Sequence, residues 1–450
     1  NKLKSKSSNP LKNLYGVDLN ESATKITKIN LWLRKRNKTS INYLDNNIKF
    51  GDSIVSNQKI SSKAFNWKSH FDKVFLSGGF DFIIGNPPYV TLKKSEYDPN
   101  DETYSSVIIG SVNAASLVLT KSISLLKEGG VLAFVLPKTI MRVNSYSKLR
   151  NFLINKMKVI HILDLGKKFK GVRGEQIVLF LQKPKRNENP LNTNVLIKNF
   201  KTGEEFEISQ KLFDEHNNFL IFEEKEIYNL IDKISKNSKQ LLLLSEINRG
   251  VSISPKVKSI SKTKKKGFVP ILKGSDVQKF KSSYSYYINE NFLLNNFKTK
   301  STAISKKKII VQNIFSSEAG IISTLDLNGD NTFDTVTNII PNSEEDIYYL
   351  FGILNSKLAN FYLTTAVYNL STLTMHTDKS YIGQIPIKNL TRKEKNLISD
   401  ISKKILNSRN PKMFLGVLDS LVYKLYGITK KDQDTINKTL RAIMSKKSYW

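Results

Sequence analysis

A chain of 450 residues with 40% hydrophobic content carries enough apolar mass for two or three packed domains, which excludes disorder as its default state. Lysine and arginine number 71 against 39 aspartates and glutamates, a formal charge of +32, so a polyanion such as nucleic acid suits the chain better than an acidic small molecule. With no cysteine in the sequence, disulfides, thiolate zinc sites and thiol nucleophiles are excluded.

Part of the lysine excess is what an AT-rich coding sequence deposits on solvated faces. His70, His161, His216 and His376 stand singly, so no metal is expected. No signal peptide opens the chain, and a cytoplasmic protein is expected.

From Leu14 to about Lys183, short apolar runs alternate with helical patterns, which predicts a sheet with helices on both faces. Leu14 to Asp18 reads as a strand. Asn20 then caps a helix in which Ile26, Ile29 and Leu33 recur at helical spacing, ending near Asn37. Phe80 to Ile84 is a second strand. Val107 to Leu126, the most membrane-like stretch, is interrupted by Asn113, Lys121 and several serines and predicts an amphipathic helix packed on a sheet. Glu128-Gly129-Gly130 reads as its stop, and Val131 to Leu136 as the next strand, ended by Pro137. Val159 to Leu163 and Gln176 to Leu181 complete the layer.

Beyond Pro184 the pattern turns to irregular short strands with isolated helices, such as Glu223 to Ile234 and Tyr348 to Tyr362. The expected organisation is a catalytic domain over 1–183, a connector over 184–240, an α+β recognition domain over 241–390 and a helical region over 391–450.

The segment Phe80-Asp81-Phe82-Ile83-Ile84-Gly85-Asn86-Pro87-Pro88-Tyr89 carries the strongest chemical signal, a buried strand that ends in an amide, two prolines and an aromatic. A conjugated amine is a poor nucleophile, because its lone pair is delocalised. Group transfer to it needs two acceptors that hold both N–H groups as charge develops. The Asn86 side-chain oxygen and the Pro87 carbonyl can supply that pair. Pro87 and Pro88 restrict φ and extend the residues before them, which presets both acceptors. Tyr89 offers a flat face for a planar substrate. A plain proline-rich turn after a strand is the structural alternative. The position of the tetrapeptide at the carboxyl end of an apolar strand, where open α/β sheets bind ligands, favours the chemical reading.

These residues resemble the catalytic motif of adenine-N6 DNA methyltransferases of the gamma class. In this class the catalytic domain comes first and the target-recognition domain last, as in the methyltransferase part of type IIG restriction-modification enzymes. The resemblance implies a Rossmann-like class I sheet, S-adenosylmethionine as cofactor and a flipped adenine as substrate. It implies that Asp18, in Gly16-Val17-Asp18-Leu19-Asn20, binds the ribose hydroxyls of the cofactor, and that Asp52, in Phe50-Gly51-Asp52-Ser53, accepts from its adenine amine. Asn86 would border the same cofactor. Asp18 and Asn20 equally suit capping of the following helix, and a Gly-Asp-Ser turn is common in any protein. Phe169, in the loop Lys168-Phe169-Lys170-Gly171-Val172-Arg173-Gly174, matches a second aromatic placed against the flipped base, or else is a loop aromatic that covers the core. The absence of cysteine excludes cytosine C5 methylation by its usual covalent route. The family's glycine-rich cofactor loop has no counterpart, since no Gly-x-Gly occurs in the sequence. The sheet is therefore expected to be incomplete at its N-terminus, with weak or no cofactor binding by this chain alone.

Between Lys256 and Lys308, fourteen lysines stand against two acids and are interleaved with Phe268, Phe280, Tyr284, Tyr286, Tyr287, Phe292 and Phe297. Such a density can neutralise phosphates and position a duplex, with Lys264, Lys265, Lys266 and Lys273 as the expected contacts. The pieces Arg249-Gly250-Val251-Ser252, Val269-Pro270-Ile271-Leu272-Lys273-Gly274-Ser275-Asp276, Lys308-Ile309-Ile310-Val311-Gln312, Thr335-Val336-Thr337-Asn338-Ile339-Ile340 and Leu350-Phe351-Gly352-Ile353-Leu354-Asn355-Ser356 resemble, in order, those of target-recognition domains. Double-stranded DNA is the partner this implies, with a nuclease domain or subunit outside the chain as a second and no membrane. Two alternatives stay open: a protein glutamine N5-methyltransferase, whose amide substrate poses the same problem, and a non-enzymatic DNA-binding fragment.

Overall fold

The computed structural model describes residues 10–34, 41–110, 112–141, 143–169, 174–222, 224–316, 318–370 and 375–447. The chain divides into two compact units, Asn1–Ile221 and Phe222–Trp450. Among the described residues no helix is long and apolar enough to cross a membrane.

The first unit opens with β1 (Gly16–Asp18), α1 (Glu21–Arg34) and β2 (Ile48–Phe50), and β1 and β2 pair in parallel with Asp18 opposite Phe50. The side chain of Asn20 caps α1 by accepting from the Ala23 N–H at 3.2 Å, as the sequence predicts. The expected end of this helix near Asn37 lies outside the described residues. The strand β3 (Phe80–Gly85) follows, then α2 (Ala114–Leu125), β4 (Leu126–Pro137), α3 (Ser147–Lys156), β5 (Lys158–Gly166), β6 (Gln176–Gln182), β7 (Asn194–Asn199) and β8 (Glu205–Ser209). The last six strands form one mixed sheet in the order β8-β7-β5-β6-β4-β3. β3 and β4 run parallel, β6 lies antiparallel between β4 and β5, and β3, β4 and β5 therefore end at one edge of the sheet.

Three expectations are corrected here. The helix predicted from Val107 starts only at Ala114, because Val112–Asn113 is extended and pairs with Thr91–Leu92, after which Asn113 caps the helix through the Ala115 N–H at 3.0 Å. It ends without a glycine stop: β4 begins at Leu126, and Gly129 lies within that strand, in the bulge between the Phe80–Leu126 and Phe82–Val131 pairs. β3 is not a buried strand. It lies at the sheet margin with β4 as its only neighbour among the described residues, and Phe82 and Ile84 are 75% and 82% exposed. β7 pairs with β5 and carries this sheet on through β8, past the expected boundary at 183.

The second unit begins with α4 (Lys225–Ser235) and β9 (Ser245–Arg249). It continues through β10 (Ile260–Ser261), β11 (Phe268–Leu272), β12 (Tyr287–Asn289) and α5 (Glu290–Ile304). β13 (Lys308–Gln312), β14 (Ser323–Asp326), β15 (Asn331–Thr332) and β16 (Val336–Pro341) follow. Two four-stranded sheets result, β9-β16-β13-β14, antiparallel throughout, and β10-β12-β11-β15. The helix expected over Tyr348 to Tyr362 is two, α6 (Ile347–Leu354) and α7 (Lys357–Tyr362), because Ser356 leaves helical geometry and caps the second through the Ala359 N–H. Three more helices close the chain, α8 (Arg392–Asn407), α9 (Lys412–Tyr426) and α10 (Lys430–Lys447). They belong to the core of this unit. A Cβ on Gly352 of α6 would stand 2.5 Å from Ile398 and Ser402 of α8, so only glycine permits that approach.

Asp432 ties α10 to α4. Its carboxylate takes the Lys233 ammonium at 2.6 Å and the Thr429 N–H and hydroxyl at 2.8 Å. Burial acts to raise this carboxyl, but the bonds from Lys233 and Thr429 outweigh it and hold it below the ordinary aspartate range. A depressed carboxyl contributes stability that is present above the ordinary value and lost as pH falls through the folded value. In acid unfolding followed by circular dichroism, Asp432→Asn is therefore expected to be less stable than wild type at neutral pH, with the difference closing below about pH 4.

Candidate active site and nucleic-acid interface

At the tip of β3 the chain turns out of the sheet with Asn86 and Pro88 exposed, Pro87 buried and Tyr89 half-buried. The Tyr89 hydroxyl lies 3.1 Å from the Asn86 amide oxygen and 3.0 Å from the Val135 carbonyl on β4. A phenol has one hydrogen to donate, so it serves one acceptor at a time. When the hydroxyl serves Val135, the ring is tethered to the neighbouring strand and the amide oxygen is left to accept from another donor. Burial raises the Tyr89 hydroxyl above its ordinary value, which keeps it protonated and able to donate.

Asp18 and Asp52 stand at and just beyond the carboxyl ends of the parallel pair β1 and β2. Asp18 is exposed and uses Oδ1 to accept from the Asn20 N–H at 2.7 Å, so it shapes the turn into α1 together with the Asn20 cap. Asp52 is half-buried and accepts from the Ile54 N–H at 3.2 Å. Its turn is built tightly: a Cβ on Gly51 would meet Phe65 at 2.7 Å, the Trp67 indole donates to the Ser53 carbonyl at 2.9 Å, and the Tyr104 hydroxyl to the Ile54 carbonyl at 2.6 Å. Tyr104 is fully buried. Burial, with the Asp101 and Asp52 carboxylates, pushes its hydroxyl well up. Nothing in the spacing of the sequence singles out Trp67, Tyr104 or Val135, because each acts through a partner distant in the chain.

The amino ends of β1 and β3 are joined by the rings of Tyr15 and Phe80, 5.6 Å apart, but the two strands share no ladder. Phe169 lies 45% exposed on the loop between β5 and β6, which leaves the same sheet edge as the tip of β3. Lys170, Gly171, Val172 and Arg173 of that loop are outside the described residues.

In the second unit Lys264, Lys265 and Lys266 are exposed on the connection from β10 to β11, with the Lys265 ammonium 5.8 Å above the Phe268 ring. Lys273 lines a cavity of about 460 Å³ with Lys256, Lys262, Ser254, Ile260 and Tyr286, and its ammonium lies 5.8 Å over the Tyr286 ring. A wall of lysines above an aromatic and aliphatic floor suits an anion that carries an apolar or planar part.

The first unit thus gathers an amide, two prolines and a tyrosine at a strand end, and a lysine-rich α+β unit follows it in the chain. Residues 12–170 match the family described as Eco57I restriction-modification methylase, and residues 269–387 match the TaqI-like C-terminal specificity domain. The two matched stretches thus correspond, in chain order, to an Eco57I-type restriction-modification methylase domain and a TaqI-like specificity domain.

Among its relatives is a Methanocaldococcus jannaschii protein assigned as a type II restriction enzyme and methyltransferase, RM.MjaORFECS2P. It is 28% identical over 420 residues that span 85% of this chain and 34% of that protein. The type II restriction enzyme and methyltransferase RM.Eco57I of Escherichia coli is 29% identical over 189 residues, 38% of this chain and 19% of that one. The type II methyltransferase M.TthHB8I of Thermus thermophilus is 33% identical over 113 residues, 23% of this chain and 26% of that one. The chain therefore spans about a third or less of the length of these relatives. In fold it is similar to the type IIL restriction-modification enzyme MmeI, solved in complex with DNA. The TM-score is 0.55 at 13% identity, over 96% of this chain and 66% of that one.

Proposed function

We propose that this chain is the catalytic and target-recognition part of a DNA adenine-N6 methyltransferase of a restriction-modification system. The observation that carries the reading is the exposed Asn86 amide oxygen at the carboxyl end of β3, beside a tyrosine ring whose hydroxyl is tied to the Val135 carbonyl. In this reading a flipped adenine stacks on Tyr89, and its two N–H hydrogens are accepted by the Asn86 side chain and the Pro87 carbonyl. Pulling on both hydrogens raises electron density on the nitrogen, which would take the methyl carbon as the sulfonium sulfur keeps the electron pair of the broken bond. The surplus N–H proton would leave by way of these acceptors to solvent. Pro87 and Pro88 hold the acceptors still, so little reorganisation accompanies the step.

Asp18 and Asp52 suit S-adenosylmethionine by their chemistry. Each is a carboxylate at the end of one of two parallel neighbours, and each spends Oδ1 on a single turn N–H out of the several bonds a carboxylate can accept. Asp18 would take ribose hydroxyls and Asp52 the exocyclic amine of the cofactor. The bound cofactor supplies a methyl group on a sulfonium sulfur. Phe169 would cover the base from the second side.

The test is transfer of radiolabelled methyl from S-adenosylmethionine, offered duplex DNA and translation factors side by side, with this chain and with one extended upstream. Label in adenine of the duplex is expected, and label on protein alone would sink the reading in favour of a glutamine methyltransferase. On the second unit, replacing Lys264, Lys265 and Lys266 together with glutamine is expected to weaken duplex binding across sequences. It should lower the slope of log affinity against log salt by about 2–3, near 0.9 for each phosphate left without its lysine. Fluorescence anisotropy over a salt series measures it, and an unchanged slope would make the three lysines bystanders.

A further inference from the structure

Lys138 follows β4 directly, and its side chain is largely covered. Its ammonium lies 2.6 Å from Asp164 on β5 and 3.6 Å from Glu175, which immediately precedes β6. The side chains of Lys138 and Asp164 are only 15% and 11% exposed. The Lys138 N–H also donates to the Glu175 carbonyl at 2.8 Å. β6 lies between β4 and β5, so this one side chain crosses a strand to reach the far partner.

Asp164 and Glu175 are the two stems of the loop that carries Phe169. The other Asp164 oxygen accepts from the Gly166 N–H at 3.0 Å, where the chain leaves β5 through a positive φ of 58°. The Asp164 carboxylate thus turns the loop with one oxygen and binds the brace with the other. Burial acts against the Lys138 ammonium, and the two carboxylates outweigh it, so the cation persists across the neutral range.

The brace stands at the sheet edge where the proposed base site lies. Val135, whose carbonyl tethers Tyr89, is three residues before Lys138 on the same strand end. We infer that Lys138 is a positioning residue: by pinning both stems of the β5–β6 loop to the end of β4, it sets the place of Phe169 relative to the Asn86–Tyr89 tip. This rests on the reading of that tip as the base site. It does not touch the reacting atoms itself, and it acts through Asp164 and Glu175.

Lys167 and Lys168 make the loop a trypsin site, so its freedom is measurable without cofactor or DNA. The full chain is digested briefly as wild type, Lys138→Met, Glu175→Gln and Lys138→Arg, with folding checked by circular dichroism and cut positions read by mass spectrometry. Cleavage after Lys167 or Lys168 is expected to rise about tenfold in Lys138→Met and severalfold in Glu175→Gln, with sites outside the loop unchanged and Lys138→Arg near wild type. In the methyl-transfer assay kcat is expected to fall in the same order, with KM for S-adenosylmethionine unaltered, because Phe169 is not assigned to the cofactor. Should Lys138→Met lose its fold, Glu175→Gln decides the matter, since it frees one stem only. Loop cleavage and kcat at wild-type level in Glu175→Gln would overturn the inference. So would faster cutting at all sites alike in a folded Lys138→Met. Loosened loops with no methyl transfer in wild type, neither by this chain nor by one extended upstream, would instead keep the brace and sink the methyltransferase reading.

Discussion

Asn86→Ala is expected to lower kcat for methyl transfer by about 10²- to 10³-fold, the usual consequence of removing one preorganised partner of developing charge. Duplex affinity should change little, because in this reading the phosphates are held by lysines of the second unit. The physical basis is that the amide oxygen acts mainly when the target nitrogen becomes electron-poor, so its loss is felt in the transition state more than in binding. Single-turnover transfer from radiolabelled cofactor, beside anisotropy with the same duplex, separates the two quantities. Equal losses in affinity and rate would contradict an acceptor role. The local cost of the substitution should be small, since Asn86 is exposed and the Tyr89 hydroxyl keeps the Val135 carbonyl as an acceptor.

The second large effect is expected in folding. Lys308 opens β13 with its side chain fully buried and paired with Asp326, itself 5% exposed, and it also donates to the Asp330 carbonyl at 2.7 Å. Asp326 in turn accepts from the N–H groups of Asn328, Gly329 and Asp330, so one carboxylate organises the whole turn after β14. Removing the cation leaves a buried carboxylate without its counter-charge. Lys308→Met is expected to destabilise the second unit by about 3–5 kcal/mol, the range for breaking one partner of a buried pair. Urea unfolding of the full chain followed by circular dichroism measures it. A loss below about 1 kcal/mol would mean that the turn's N–H groups alone suffice for Asp326. The same pair shows a limit of reading charge from composition, since one lysine of the basic run that the sequence assigns to phosphate contact is spent inside the core.

The tip of β3 was legible because its determinants are local. Proline fixes its own φ and extends its predecessor wherever it stands, and an apolar run before it makes a strand in most contexts. Asn20 capping α1 was legible for the same reason. The start of α2 was not, since Val112–Asn113 is extended by pairing with Thr91–Leu92, a partner that helical propensity cannot see. The expectation that β3 is buried failed similarly: an apolar strand declares that it prefers cover, whereas neighbours on both sides are a property of the sheet.

The sequence by itself therefore placed the strands from Phe80 to Leu181 in order, set Asn86, Pro87, Pro88 and Tyr89 at the end of one of them, and marked a lysine-rich second region. Only the tertiary structure decided which strands lie side by side, that Val135 holds Tyr89, that Lys273 and Lys262 line one cavity, that Lys138 pairs with Asp164 and Glu175, and that Lys308 is an interior cation. The reason is range. Dihedral preference and hydrophobic alternation act over a few residues, while hydrogen bonds and ion pairs are set by proximity in space, which the chain achieves only by folding.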